Sequence, residues 1–177
     1  MAGPLPPPPP VVPVPDVATA RALFAEAQVR LDTTIRRLGL FTEDERHGRV
    51  DDEWSAVESL RHLVLIIDLW LSKAIIGEHD PFDPIALPPT FMPPKLFPDS
   101  SIDPAAQPTY EDSLDVLRDR MATLRGYVAA LTPDELSRSI GTHARTVGGG
   151  LDIIFTELAA HDQFINRDLD QVEASRT

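Results

Sequence analysis

The sequence predicts an all-α protein, a four-helix bundle, and three observations support this class. Eight of the 18 prolines lie in residues 1–15 and nine lie between residues 81 and 108. Because proline breaks helices, the proline-free stretches 16–80, 109–132 and 134–177 should hold the helices. Within them, apolar residues recur every three or four positions, and no stretch shows the period-two alternation of a strand.

Residues 1–15 form a proline-rich tail, MAGPLPPPPPVVPVP. Such a composition predicts a solvated, disordered or polyproline II segment that buries little surface. It could dock on an aromatic groove, but its composition favours a plain spacer. The bundle is expected to span residues 16–177 as one domain, because a 177-residue chain with 42% hydrophobic residues suits a single core.

The first and second helices follow the tail. Asp16 is a good N-cap for the first helix, which should close near Gly39. The polar stretch TEDERHGRVDD is expected to be a loop whose last two residues, Asp51 and Asp52, are candidate caps of a second helix over residues 53–76. The centre of that helix, LRHLVLIIDLW, is apolar on nearly all sides, so it must be covered by other elements.

The third and fourth helices follow the second proline cluster. Thr109 begins the third with the capping box TYED, a short helical turn is expected at TPDEL, and the fourth spans about residues 148–173. The proline-rich connection between the second and third helices has about 31 residues, far more than antiparallel neighbours need. Because an extended connection of that length can span a helix more than twice, these two helices are predicted to run parallel. The predicted order is up-down-down-up.

Composition excludes several classes of function. The chain has no cysteine, so any metal must be held by His, Asp or Glu rather than by thiolates. A net charge of -12 without a local basic patch argues against nucleic acid as a partner. No stretch approaches the roughly 18 to 20 apolar residues of a membrane span, and the N-terminus lacks the features of a signal peptide, so we expect a cytoplasmic protein.

Three metal-capable side chains fall on faces that should be buried. His161 lies on the apolar stripe of the fourth predicted helix, and Glu157 precedes it by one turn, on the same side. His62 lies within the most apolar stretch of the second predicted helix. Because burying an unpaired imidazole or carboxylate is costly, each of these groups needs a partner.

Two interpretations of these groups remain open from spacing alone. A divalent metal would satisfy all three at once and keep an open position for water or substrate, as in catalytic zinc sites. Alternatively, His161 hydrogen-bonds Glu157, while His62 meets a backbone carbonyl or Asp68.

Two long motifs carry a resemblance to a known family. The stretch DEWSAVESLRHLVLIIDLWLSKAIIGE, followed by PIALP, resembles the second helix and following loop of actinobacterial DinB-like proteins. The stretch TVGGGLDIIFTELAAHDQFINRDL is similar to the last helix of the same group. The resemblance covers most of residues 16–173. It implies a four-helix bundle, often dimeric, that binds zinc, nickel or a similar metal.

The resemblance also implies a ligand set. Many members use three histidines, but those similar to the mycothiol-dependent maleylpyruvate isomerases use His, Glu and His. On that pattern the metal ligands are His62, Glu157 and His161. Relatives often carry a second His or bulky residues around the last ligand, where this chain has small or acidic residues, which leaves the substrate open. These residues are Ala159, Ala160 and Asp162.

The function that the resemblance implies is a metal-dependent thiol transferase or isomerase. Its cosubstrate would be a low-molecular-weight thiol, mycothiol in an actinobacterial host, and the bias to 14 Arg among 16 basic residues is typical of such high-GC coding. Zinc is the expected metal, with nickel or iron as alternatives. The expected partners are a small-molecule substrate and a second copy in a homodimer. The alternatives are a non-catalytic stress-response or interaction bundle and a metal-dependent hydrolase; catalytic residues stay unassigned, because no separate general base is evident.

Other residues receive weaker predictions. Glu58, one turn before His62, could orient that imidazole or lie free on the surface, and Asp68 should pair with Arg61 or Arg167. Three histidines are predicted to be surface residues: His47, His79 and His143. A glycine triplet, residues 148–150, should let the fourth helix pack closely. The long loop could cover the site with four apolar side chains, Phe82, Phe91, Met92 and Phe97.

Overall fold

The computed structural model describes residues 10–90, 92, 97, 100–103 and 105–176. In chain order the helices are α1 Val17–Leu38, α2 Glu43–His47, α3 Ala56–Ile67, a π-helix Asp68–Ile76, α4 Tyr110–Ala130, α5 Pro133–Ser137 and α6 Val147–Ser175. The four long segments, with α3 and the π-helix as one of them, build the bundle. Within the described ranges strand pairing is limited to one isolated bridge, between Ser139 and Thr146. The predicted all-α class is confirmed.

Helices begin where a polar residue that can cap the first turn precedes a stripe of apolar residues. Asp16 accepts a hydrogen bond from the Thr19 N–H at 2.7 Å and starts α1, which ends at Gly39 as predicted. Thr109 starts α4 and forms a capping box with Asp112. These boundaries follow from local chemistry, because a side-chain oxygen satisfies backbone N–H groups that the first turn leaves free.

The predicted start of the second helix is wrong. Asp51 and Asp52 have φ of 51° and 60°, the left-handed conformation, whereas an N-cap residue takes an extended conformation. Ser55 caps α3 instead, in a capping box with Glu58. The polar loop before it also contains the short helix α2, capped by Thr42.

The hydrogen-bonding pattern of the second long helix changes at Asp68. From this residue to Ile76 the backbone is a π-helix, which ends at Gly77 with φ of 89°. The Asp68 carboxylate accepts hydrogen bonds from Arg120 Nε at 2.5 Å and from the Asp83 N–H at 3.0 Å. The predicted partners of Asp68 are therefore wrong. Arg61 donates to the Ile85 carbonyl, and Arg167 pairs with Glu53 and Asp168.

Contacts at the helix ends fix how the helices run beside one another. Arg37, in the last turn of α1, pairs with Asp170 near the end of α6, and the Val14 N–H, just before α1, donates to the Gly148 carbonyl at the start of α6. The two helices therefore run in the same direction. Arg21 donates to the carbonyl of Ala129 at 3.0 Å, so the first half of α1 lies beside the end of α4. Arg138, shortly before α6, donates to the carbonyl of Ile75 at 2.8 Å.

The core forms around α3, in which every residue except Glu58 is buried. Leu60, Val64 and Ile67 are fully enclosed, as expected of a helix that is apolar on all sides. None of the described helices combines the length and apolar character that crossing a membrane requires.

The chain packs on the bundle before Asp16. Val14 is 5% exposed, and its N–H donates to the carbonyl of Gly148 at 3.1 Å. The expected solvated tail therefore does not extend to Val14; residues 1–9 lie outside the described residues. This approach is close, because a Cβ on Gly148 would lie 3.0 Å from the Val14 carbonyl oxygen. Within the same predicted glycine triplet, a Cβ on Gly149 would lie 2.0 Å from the Ala144 carbonyl oxygen.

Candidate metal centre

The structure brings the three predicted ligands together between α3 and α6. His62 Nε2 lies 3.8 Å from Glu157 Oε2, and His161 Nε2 lies 3.6 Å from the same oxygen. One donor atom from each residue lies within 4.8 Å of the other two. Ligand atoms around a tetrahedral zinc ion are about 3.3 Å apart, so binding an ion would draw these donors closer together.

Each histidine is held at the site by its helix. Both imidazoles are buried, His62 at 5% and His161 at 7% exposure, and their ring centroids are 4.9 Å apart. Glu157 lies one turn before His161 on α6, and its side chain is 35% exposed. The group is therefore enclosed on the side of the imidazoles and opens towards solvent beside the carboxylate.

His62 has a fixed orientation because its second nitrogen contacts the long loop. The distance from Nδ1 to the Leu87 carbonyl oxygen is 3.0 Å, and since a carbonyl only accepts, Nδ1 carries the proton. In the neutral ring the lone pair of Nε2 then faces Glu157. Burial lowers the pKa of His62 to about 4, so the ring is neutral near pH 7. The predicted contact of His62 with a backbone carbonyl is thus present, yet it leaves Nε2 available as a ligand.

His161 has a less complete set of contacts. Its Nδ1 atom is buried and has no hydrogen-bond partner in the part of the chain that the structure describes. The 3.6 Å separation of its Nε2 from Glu157 is longer than a hydrogen bond, so the alternative of a His161 to Glu157 hydrogen bond is not observed. The nearby His161 imidazole holds the pKa of Glu157 below its ordinary value, so the carboxylate is ionised at neutral pH.

The donor set fits a divalent cation. One carboxylate and two imidazoles converge without a good hydrogen bond among them, and a cation between them would satisfy all three. Mixed nitrogen and oxygen ligands suit zinc, nickel and iron, and three protein ligands leave a coordination position open.

Two aromatic side chains lie against the two histidines of the site. The Trp54 ring lies 4.8 Å from the His62 ring and, nearly parallel at 24°, 5.9 Å from the His161 ring. The Phe164 ring is perpendicular to that of His161, with ring centroids 5.8 Å apart, and Phe164 is 45% exposed. These rings therefore give the imidazole side of the site an apolar surround.

The other singled-out residues lie apart from this group. Glu58 does not orient His62, because it pairs with Arg49 and with the N–H of Ser55. The three remaining histidines are exposed, as predicted, and none of them joins the three ligands: His47, His79 and His143.

The long loop reaches the site through its backbone. Phe82 is buried, but its ring packs perpendicular to that of Phe97 at 5.4 Å and, within the described part of the chain, makes no ring contact with the two histidines. Met92 is half-buried, and Phe91 lies outside the described residues. The contact observed between loop and site is the Leu87 carbonyl. Sequence reasoning offered a backbone carbonyl as one partner of His62 without identifying which, and it missed Trp54. A carbonyl has no side-chain signal, whereas a large aromatic residue just before the cap of α3 could have indicated Trp54.

Fold and site together define a helical bundle with a candidate His, Glu, His metal centre in its interior. The family model described as the DinB superfamily matches residues 32–165, which is more than half of the chain. The chain belongs to the DinB superfamily. Searches of curated proteins and of solved structures found no match.

Proposed function

We propose that the protein binds one divalent transition-metal ion through His62, Glu157 and His161 and offers an open coordination position to a small molecule. The convergence of one donor atom from each residue within 4.8 Å carries this proposal. Zinc is the first choice of metal, since two imidazoles and a carboxylate are typical of catalytic zinc, with nickel or iron as alternatives.

The proposed reaction is the transfer of a low-molecular-weight thiol of the mycothiol type, or an isomerisation that uses one. A bound divalent cation supplies one chemical effect here, lowering the pKa of a thiol or water so that a nucleophile forms near neutral pH. The ionised Glu157 compensates the positive charge, and the rings of Trp54 and Phe164 beside His161 offer apolar contact to a substrate. The resemblance to the mycothiol-dependent isomerases supports the choice of thiol.

Elemental analysis tests metal binding directly. Protein purified without a polyhistidine tag should contain about one divalent ion per chain, and the His62→Ala variant should contain none. The matched control is His47→Ala, because His47 is an exposed histidine away from the site. A parent protein without stoichiometric metal would overturn the proposal.

Turnover assays then separate the possible reactions. Metal-loaded protein is given mycothiol, bacillithiol or glutathione with either an electrophilic acceptor or an isomerisable substrate. Loss of free thiol reports transfer, and thiol-dependent conversion of the substrate without loss of thiol reports isomerisation. We expect turnover with mycothiol that is lost in His62→Ala. Metal binding without any thiol-dependent turnover would favour the hydrolytic or the non-catalytic interpretation. The homodimer that the resemblance implies stays a prediction, which light scattering tests.

A further inference from the structure

Three hydrogen bonds fasten residues 85–87 of the long loop to α3 beside His62. Arg61 Nε donates to the Ile85 carbonyl at 2.7 Å, and the Leu87 N–H donates to the Arg61 carbonyl at 3.3 Å. The third bond runs from His62 Nδ1 to the Leu87 carbonyl at 3.0 Å. Two consecutive residues of α3 therefore hold both ends of this three-residue segment, and the end at Ile85 is held by the Arg61 side chain.

Arg61 is an unusual residue to bury at this place. It is 7% exposed, and its Nη2 atom has no hydrogen-bond partner among the described residues. Among the residues that the structure describes, the guanidinium makes one hydrogen bond, from Nε to the Ile85 carbonyl. A buried guanidinium with an unused donor costs free energy that an apolar side chain of similar volume would not. Packing alone therefore does not account for an arginine at this position.

We propose that Arg61 is a positioning residue for the metal ligand His62. By fixing residues 85–87, Arg61 keeps the Leu87 carbonyl on Nδ1 and so selects the tautomer whose Nε2 lone pair faces Glu157. The consequence for metal affinity rests on the proposed function, whereas the effect on the tautomer does not. In metal sites, the group that hydrogen-bonds the second ring nitrogen of a ligating histidine fixes the tautomer and the orientation of that histidine.

The test uses Arg61→Met and Arg61→Lys. Nitrogen NMR of the metal-free protein at neutral pH should show His62 as a single tautomer protonated on Nδ1 in the parent and as a mixture in both variants. Lys is included because it keeps the charge and most of the stem but lacks the planar Nε donor, so it tests the geometry if Arg61→Met fails to fold. The dissociation constant for zinc should rise about 10- to 100-fold in both variants.

Arg46→Met is the matched control. Arg46 also donates from Nε to a backbone carbonyl, that of Leu38 at 2.9 Å, and it does so away from the site. This variant should lose stability while keeping the parental tautomer and zinc affinity.

Two results would overturn the proposal about Arg61. One is a single parental tautomer of His62 in both Arg61 variants, and the other is an equal loss of the tautomer in Arg46→Met. A parent that binds no zinc would refute the proposed function alone, because the tautomer measurement still decides the role of Arg61.

Discussion

The carboxylate of Asp68 lies 2.5 Å from Nε of Arg120, at the residue where α3 gives way to the π-helix. The same carboxylate accepts the N–H of Asp83, so one buried group joins the second long helix, α4 and the start of the long loop. Asp68 is 0% exposed. Its burial raises its pKa to about 6 despite the nearby guanidinium.

This raised pKa predicts how stability depends on pH. Between its ordinary value of 3.8 and about 6, the folded protein keeps a proton on Asp68 that the unfolded chain has released. The contribution of Asp68 to the free energy of unfolding is thus fully present below the ordinary pKa. It decreases as the pH rises to about 6, by roughly 3 kcal/mol, since one pKa unit corresponds to about 1.4 kcal/mol.

Urea denaturation of the parent and of Asp68→Asn from pH 4 to pH 7 measures this effect. The stability of the parent relative to the variant should decline with rising pH. A difference that stays constant across this range would show that Asp68 is ionised throughout.

Glu157→Gln should weaken metal binding strongly. The substitution keeps the shape of the side chain but removes the one negative charge of the ligand set, so we expect a loss larger than the roughly 10- to 100-fold that an outer contact contributes. Titration with zinc against a competing chelator measures the dissociation constant. Glu26→Gln, on an exposed pair in α1, is the control, and parental affinity in Glu157→Gln would remove this residue from the ligand set.

Trp54 should report the arrival of a paramagnetic ion. Its ring lies 4.8 Å from that of His62, close enough for Ni²⁺ or Co²⁺ at the site to quench its fluorescence. The second tryptophan, Trp70, contacts His143 instead. Trp70→Phe should therefore retain the quenching and Trp54→Phe should lose it; the reverse pattern would place the ion elsewhere.

Gly149→Ala should destabilise the fold at the start of α6. The new Cβ would lie 2.0 Å from the Ala144 carbonyl oxygen, so backbone must shift, at a cost of about 1 to 3 kcal/mol. Gly126→Ala is the matched control within α4, where nothing lies within 4 Å. It should stabilise the protein by about 0.5 to 1 kcal/mol because alanine favours a helix interior. Equal thermal midpoints for the two variants would contradict the close approach.

The sequence predicted those features that depend on local chemistry or on periodicity. Asp16 and Thr109 start helices because their side chains cap the first turn, and His161 stands out because it interrupts an apolar stripe. These signals lie within a few residues of the feature that they predict.

The missed features depend on distant or backbone groups. Arg120 is 52 positions from Asp68 and reaches it through the tertiary fold. The π-helix falls in a stretch that is apolar on nearly all sides, so the spacing of apolar residues does not distinguish it from an α-helix. Asp51 and Asp52 are good cap residues by type, and their left-handed backbone alone excludes them.

The two histidines at the site differ in how firmly they are held. Nδ1 of His62 is hydrogen-bonded to the Leu87 carbonyl, whereas Nδ1 of His161 has no hydrogen-bond partner among the described residues. We therefore expect His62 to set the place of a bound ion, while the ring of His161 turns to accommodate ions of different radius. Exchange of one ion for another would then begin with movement of His161 on α6. Among structures with ions of different size, the orientation of the His161 ring should vary and that of the His62 ring should stay constant.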